Sequence, residues 1–186
     1  MRKLFIIFYI IYLGNTQHAF SQAYQTTSGH VEFLSNAALN EFKGKSDQLN
    51  GLIDLDKNLV DFYIDLNTLQ TGIGLRDRHM RENYLETTEF PYAEFTGKVV
   101  DMDEALKEQF KNGKEVMVDG EFKIHGVSQD MKIKGTLKQS TDGEVLELSA
   151  QFKVLLGDHG IAIPKIMFYE LSEEQTITVK ANLKSP

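Results

Sequence analysis

The alternation of apolar and charged residues is clearest in residues 115–124, EVMVDGEFKI. Val116, Val118 and Phe122 lie at even positions, and most odd positions carry charged residues such as Asp119 and Glu121. Because successive side chains of a strand point to opposite faces, this pattern predicts a strand with one face on a core and the other in water. Half-buried strands of this kind are typical of antiparallel sheets.

The same period-two pattern recurs on both sides of this stretch and predicts about eight strands. Turn-forming sequences separate several of them, namely Asp56-Lys57-Asn58, His125-Gly126 and Asp142-Gly143. Strands joined by short hairpins favour closure of the sheet, because closure removes the exposed edges. A barrel of this size is either filled by its own side chains or holds one small apolar ligand. The predicted strands span residues 30–35, 42–54, 60–64, 93–100, 115–124, 131–138, 146–154 and 176–183.

Two stretches break the alternation. Residues 67–85, NTLQTGIGLRDRHMRENYL, have helical character and carry opposite charges four residues apart. Residues 102–110, MDEALKEQF, predict a short amphipathic helix in a loop. The helical insertion near Asp103 to Asn112 could cover or narrow the barrel opening. The predicted fold class is therefore all-β, an antiparallel barrel of about eight strands with one or two short helices.

The first 21 residues read as a secretory signal peptide. Arg2 and Lys3 precede the apolar stretch 4–13, LFIIFYIIYL, and a polar stretch then ends in Ala19-Phe20-Ser21. The apolar stretch is about half as long as a membrane-spanning helix must be. We therefore expect two segments, a signal peptide over 1–21 and one barrel domain over 22–186. Cleavage near Ser21 would leave the protein periplasmic or secreted.

Composition excludes several classes of function. The chain has no cysteine, which removes disulfides, thiolate nucleophiles and a lipid anchor on cysteine. Its net charge is −7 at pH 7, which argues against nucleic-acid binding. After the signal peptide no stretch is apolar enough to span a bilayer, so we expect no stable membrane insertion. The composition leaves a homodimer open.

The sequence offers little for catalysis. It contains neither a Gly-x-Ser-x-Gly elbow nor a phosphate-binding loop, and we expect no enzyme and no cofactor. No histidine pair has the spacing of metal ligands, so no metal is expected. A site assembled in space from His79, His125 and His159 remains an alternative. A structural role is favoured for His125, because it lies in a predicted turn.

Residues 76–81, RDRHMR, place three arginines and a histidine within six positions of an acidic chain. One interpretation is a solvated helix held by its own ion pairs at four-residue spacing. The other is a positively charged lid at the mouth of the barrel, where arginine side chains hold a phosphate or carboxylate head group. The charge pattern is consistent with both interpretations.

Three stretches of the sequence resemble the central signature of the YceI-like family. They are residues 66–72, LNTLQTG, residues 76–81, RDRHMR, and residues 90–95, FPYAEF. A second block, residues 120–128, GEFKIHGVS, resembles a hairpin of the same family. The resemblance extends over nearly all of residues 22–186.

This resemblance implies a lipocalin-like barrel, exported to the periplasm, that binds a polyisoprenoid, isoprenoid quinone or similar lipid. The protein would then act as a lipid carrier or reservoir. The alternative is a non-catalytic structural or stress-response interaction module with a packed barrel. The resemblance places a polar group of residues at the cavity mouth, namely Arg76, Asp77, Arg78 and His79. The implied cavity wall includes Phe62, Ile64, Phe95, Val118 and Phe122.

Overall fold

The computed structural model describes residues 22–163 and 171–186, and the predicted signal peptide lies outside these ranges. Eight strands form a closed antiparallel barrel in which each strand pairs with the next and β8 pairs with β1. This arrangement confirms the predicted fold class. The strands are β1 (Ala23–Asn36), β2 (Glu41–Asp54), β3 (Leu59–Asp65), β4 (Tyr92–Val99), β5 (Lys114–Ile124), β6 (Val127–Gln139), β7 (Val145–Leu155) and β8 (Glu174–Lys184).

The predicted turns join strands as expected. His125 and Gly126 link β5 to β6 with φ angles of 53° and 73°, the left-handed values that a tight hairpin requires at both central residues. Asn58, with a φ of 50°, ends the turn between β2 and β3. The side-chain Nδ2 of Asn58 donates to the backbone carbonyl of Val99, and the side-chain Oδ1 accepts from the backbone N–H of Val99. These two bonds tie this turn to the end of β4.

Because consecutive strands run in opposite directions, the connections fall alternately at two ends of the barrel. We call them the open end and the closed end. The open end carries the connections that follow β1, β3, β5 and β7. The closed end carries those that follow β2, β4 and β6, together with residue 22 and the C-terminus.

Helix α2 (Glu104–Gln109) belongs to the closed end, since it connects β4 to β5. The expectation that this segment covers or narrows the opening is therefore wrong. The helix begins at Asp103, whose carboxylate accepts the N–H of Leu106 at 2.7 Å. Phe110 follows the helix with only 1% of its surface exposed and belongs to the barrel core. The segment closes the far end of the barrel.

Helix α1 (Gly74–His79) lies at the open end and continues as a wider π-helical turn over Met80–Tyr84. The described ranges contain no helix that is both long and apolar enough to cross a bilayer. The expected ion pairs at four-residue spacing do not form in α1. Asp77 accepts instead from Thr71, in the loop that precedes the helix. This contact replaces the local pairing that the charge pattern suggested.

Candidate functional site

An apolar cavity of about 510 Å³ lies inside the barrel. All eight strands contribute to its wall, with residues such as Leu49, Ile64, Val118 and Ile177. It reaches the surface at the open end, where the lining residues Ile73 and Leu75 are 50% and 57% exposed. Cavities of roughly 300–1,000 Å³ hold small molecules in other proteins. The interior is therefore large enough for a ligand.

Two glycines explain why aromatic side chains do not fill this space. Gly51 pairs with Phe62 across β2 and β3, and a Cβ atom at Gly51 would overlap the Phe62 ring. Gly44 pairs with Phe33 across β1 and β2, and a Cβ there would overlap the Phe33 ring. Because glycine has no side chain, each ring lies against the neighbouring strand instead of pointing further into the cavity. At these two positions the wall consists of glycine backbone covered by one aromatic ring.

Seven of the nine predicted site residues line the cavity. All five predicted wall residues are among them, and so are Arg76 and His79 from the charged cluster. Contact of these residues with a ligand stays a prediction. The five wall residues come from β3, β4 and β5 and are Phe62, Ile64, Phe95, Val118 and Phe122.

The other two predicted residues, Asp77 and Arg78, do not line the cavity. The period of the helix is the reason, since side chains three and four positions apart share one helix face. Arg76, His79 and Met80 are spaced in this way, and all three line the cavity. Asp77 and Arg78 lie between them in sequence and face elsewhere, and Arg78 is exposed. Neither residue therefore forms part of the cavity wall, and contact of either one with a ligand stays a prediction.

Asp77 positions the helix instead. Its carboxylate is buried and accepts from the backbone N–H of Thr71 at 2.8 Å and from the Thr71 hydroxyl at 2.5 Å. The intervening Gly72 has a φ of 82°, a left-handed conformation that glycine adopts without strain. These contacts fix the start of α1 relative to the preceding loop. They thereby determine where Arg76 enters the mouth.

Arg76 is the cation at the cavity mouth. Its guanidinium carbon lies 4.3 Å from the centroid of the Phe42 ring, within the range of a cation–π interaction. Its Nη1 atom is buried and has no hydrogen-bond partner. None of the ion pairs among the described residues involves Arg76. A buried donor without a partner is unfavourable unless a ligand or water supplies an acceptor.

The histidines in the described part of the chain do not assemble into a metal site. His125 contacts the carboxylate of Glu86 through Nε2 at 2.7 Å, and His159 contacts the carbonyl of Val127 through Nδ1 at 3.0 Å. These contacts hold the connections at the open end together. His79 lies apart from them on the cavity face of α1. Within residues 22–163 and 171–186, no group of three or more histidine, aspartate and glutamate side chains is arranged to hold a metal ion.

Phe42 and Gln175 are among the lining residues that were not predicted as site residues. Phe42 is the first residue of a predicted strand, and its role depends on a contact with distant Arg76. Gln175 lies one residue before the predicted strand 176–183. Extending the alternation back by one position would have placed Gln175 on the same face as Ile177 and Val179, which also line the cavity.

The fold and the cavity together define a lipocalin-like β-barrel with a hollow, apolar interior and a cationic mouth. The chain belongs to the YceI-like family, since the model of the YceI-like domain matches residues 22–184. This match confirms the resemblance seen in the sequence. Comparison with curated proteins gave no significant match.

Several solved structures share the fold. A polyisoprenoid binding domain from Saccharophagus degradans, implicated in plant cell wall breakdown, matches with a TM-score of 0.76 and 18% identity over 89% of this chain and 99% of that chain. BcnA from Burkholderia cenocepacia matches with a TM-score of 0.64 and 12% identity over 83% and 95%. The YCEI protein of Campylobacter jejuni matches with a TM-score of 0.61 and 19% identity over 77% and 84%. At these identities the similarity shows the shared fold.

Proposed function

We propose that this protein binds one long-chain amphiphilic lipid, with the apolar tail inside the barrel and the polar head at the open end. A polyisoprenoid or an isoprenoid quinone has this form. The observation that carries the proposal is the apolar cavity of about 510 Å³ with a buried, unpartnered guanidinium nitrogen at its mouth. The family membership and the polyisoprenoid binding domain among the structural neighbours support it.

The energetics favour a ligand of this kind. Each methylene group transferred from water to an apolar site stabilises binding by about 0.8 kcal/mol. A long hydrocarbon tail therefore binds with few polar contacts. The Nη1 donor of Arg76 then accounts for the orientation of the ligand, because a head group with an oxygen acceptor pairs with it at the mouth.

The size of the cavity disfavours the alternative of a packed structural module. A barrel filled by its own side chains leaves no void of several hundred Å³, whereas this one encloses about 510 Å³. We also propose that the protein binds its ligand without catalysis. Its wall is mainly apolar, and the polar residues at the open end include Arg76, His79 and Gln175, a set without a nucleophile–base pair or a carboxylate pair.

We further propose that the protein acts in the periplasm or outside the cell as a carrier or reservoir. The signal-peptide pattern of residues 1–21 supports this setting. A lipid that leaves a membrane must be shielded from water, and a hollow barrel provides that shield. Purification from the exported fraction, with N-terminal sequencing, tests the setting. A chain that begins at Gln22 is expected, and a protein retained in the cytoplasm would contradict it.

Mass spectrometry of organic extracts from the purified native protein tests the binding itself. We expect one class of long-chain lipid in near-stoichiometric amount. Repeated absence of any lipid, together with no binding of added geranylgeranyl phosphate, would refute the proposed function.

Arg76→Met and Arg78→Met form a matched pair that tests the orientation of the ligand. The two residues lie on the same helix and carry the same charge, but only Arg76 lines the cavity. We expect Arg76→Met to weaken binding of geranylgeranyl phosphate about tenfold or more, because a charge-assisted hydrogen bond is lost. Arg78→Met should stay within about twofold of the parent, since exposed charges are screened by salt. Equal effects of the two substitutions would contradict the proposed orientation.

A further inference from the structure

Two buried side-chain polar atoms in the described part of the chain have no hydrogen-bond partner. They are Nη1 of Arg76 and Oε1 of Gln175. Both residues line the same cavity. Buried polar atoms are nearly always satisfied, and an exception calls for a ligand, a water or a functional explanation. Their common location at a predominantly apolar cavity points to a ligand.

Strand register places Gln175 close to the Arg76 site. Ser35 of β1 pairs with Gln175 of β8 on one side and with Phe42 of β2 on the other. Two strand spacings therefore separate Gln175 from Phe42, a distance of about 10 Å between their Cα atoms. The Arg76 guanidinium lies over the Phe42 ring. The unpartnered donor and the unpartnered acceptor thus belong to the same sector of the cavity mouth.

The orientation of the Gln175 amide follows from its other contacts. Its Nε2 donates to the carbonyl of Ser172 and to the hydroxyl oxygen of Ser35. A reversed amide would bring its oxygen against the Ser172 carbonyl oxygen, two acceptors without a proton between them. The side chain is only 5% exposed, so solvent at the protein surface does not satisfy the remaining atom. Oε1 is therefore a fixed, unpaired acceptor on a residue that lines the cavity.

We infer that the head group of the bound lipid carries a hydroxyl, which donates to Oε1 of Gln175 while a head-group oxygen accepts from Nη1 of Arg76. This inference rests on the proposed function and specifies the chemistry of the ligand. A quinone or an ether offers acceptors only and leaves Oε1 of Gln175 unpaired. A prenol or a hydroquinone supplies both a donor and an acceptor. The site is thus selective for the hydroxylated form of the lipid.

Geranylgeraniol and its methyl ether provide the test, because they share one tail and differ in the donor. Affinities are measured by displacement of the apolar dye N-phenyl-1-naphthylamine from delipidated protein. The parent should bind the alcohol at least about tenfold more tightly than the ether, because the ether leaves a buried acceptor unpaired. In Gln175→Met, which removes the acceptor at similar side-chain volume, the preference for the alcohol should be lost, because its hydroxyl no longer has an acceptor.

Two further variants separate ligand contact from structural support. Gln151→Met makes the same change on the exposed face of β7 and should keep the preference for the alcohol. Ser35→Ala removes a hydrogen-bond partner of the Gln175 amide but leaves Oε1 in place, and it should also keep the preference.

Equal binding of alcohol and ether by the parent would overturn this inference and leave the proposed function intact. A preference that persists in Gln175→Met would also overturn it. Binding of neither probe would refute the proposed function together with the inference.

Discussion

The two ends of the barrel are formed by the same eight strands but differ in how completely their side chains are packed. At the closed end, Leu146 and Leu183 are 0% exposed and Phe110 is 1% exposed, and none of the three lines the cavity. At the open end, Ile73 and Leu75 remain at least half exposed. Burial of apolar surface is the main source of stability, so the closed end contributes more of it.

Polar groups differ between the ends in the same way. The hydroxyl of Tyr24, at the closed end, donates to the carbonyl of Gly143 and accepts from the amide of Gln139. These bonds tie β1 to the turn between β6 and β7. The open end instead holds both unpartnered buried atoms of the described chain, on Arg76 and Gln175. Proteins tolerate such unpaired groups mainly where a function requires them. The fully packed side chains and the unpaired polar groups therefore lie at opposite ends of the barrel.

Leu146→Ala and Leu75→Ala give the largest expected contrast between the two ends. The first creates a cavity in a packed region and should lower the free energy of unfolding by about 2–5 kcal/mol. The second removes a side chain that is 57% exposed and should change it by about 0.5 kcal/mol or less. Urea denaturation of delipidated protein measures both values. Similar losses of unfolding free energy in the two variants would contradict the difference in packing between the two ends.

Gly51→Ala tests whether the position of the Phe62 ring in the barrel wall keeps the cavity open. A Cβ at this position overlaps the Phe62 ring, which must then move into the cavity. We expect overpacking to cost about 1–3 kcal/mol of stability and binding of geranylgeraniol to weaken about tenfold. The double variant Gly51→Ala with Phe62→Leu should restore binding, because the smaller side chain no longer competes for the space.

Gly135→Ala is the matched control for this prediction. Gly135 lines the cavity, but the nearest atom to its added Cβ would be the carbonyl oxygen of Ser149 at 3.3 Å, and no aromatic carbon is among the three nearest atoms. Its effect on binding should be smaller than that of Gly51→Ala. An equal effect would show that lost volume alone, rather than ring displacement, governs binding.

The strands could be predicted because their signal is local. Alternation of apolar and polar residues over about ten positions shows which face of a strand is buried. Val118 and Phe122 lie on the apolar face of this pattern, and both line the cavity. The position of α2 could also have been predicted. Successive connections of an antiparallel barrel alternate between its ends, so segments that follow β3 and β4 must lie at opposite ends. Because the segment that contains α2 follows β4, this rule excludes it as a cover for the open end.

The polar part of the site could not be predicted in the same way, because it depends on long-range contacts. Asp77 and Arg78 are polar residues of the same short segment as Arg76 and His79. Only their positions around the helix axis, together with the Thr71 contact of Asp77, show which of the four line the cavity. The unpaired state of Gln175 depends on its register with Ser35, which is 140 residues away in the chain. No local pattern encodes that pairing, because cross-strand register is set by the closed sheet as a whole.

The smallest expected effect is a pH dependence of stability at the closed end. Asp54 is buried at the end of β2, where the Lys57 ammonium donates to it at 2.8 Å and the backbone N–H groups of Lys57 and Asp56 also donate. The Lys57 side chain is the main cause that holds the pKa of this carboxyl below its ordinary value, followed by the backbone N–H of Lys57. A lowered pKa in the folded state means that the ionised carboxylate favours folding.

This contribution is present above the pKa of the unfolded state and is lost as the pH falls through the lower pKa of the folded state. Thermal unfolding should therefore show a loss of stability in the parent as the pH falls below about 4, superimposed on the effect of other carboxyl groups. Asp54→Asn should reduce the dependence, and Lys57→Met should reduce it less because the backbone donors remain. Ligand affinity measured at neutral pH should stay at the parent value in both variants, since Asp54 and Lys57 lie at the closed end and do not line the cavity. A substantial loss of affinity would show that the two ends are coupled and would contradict their separation.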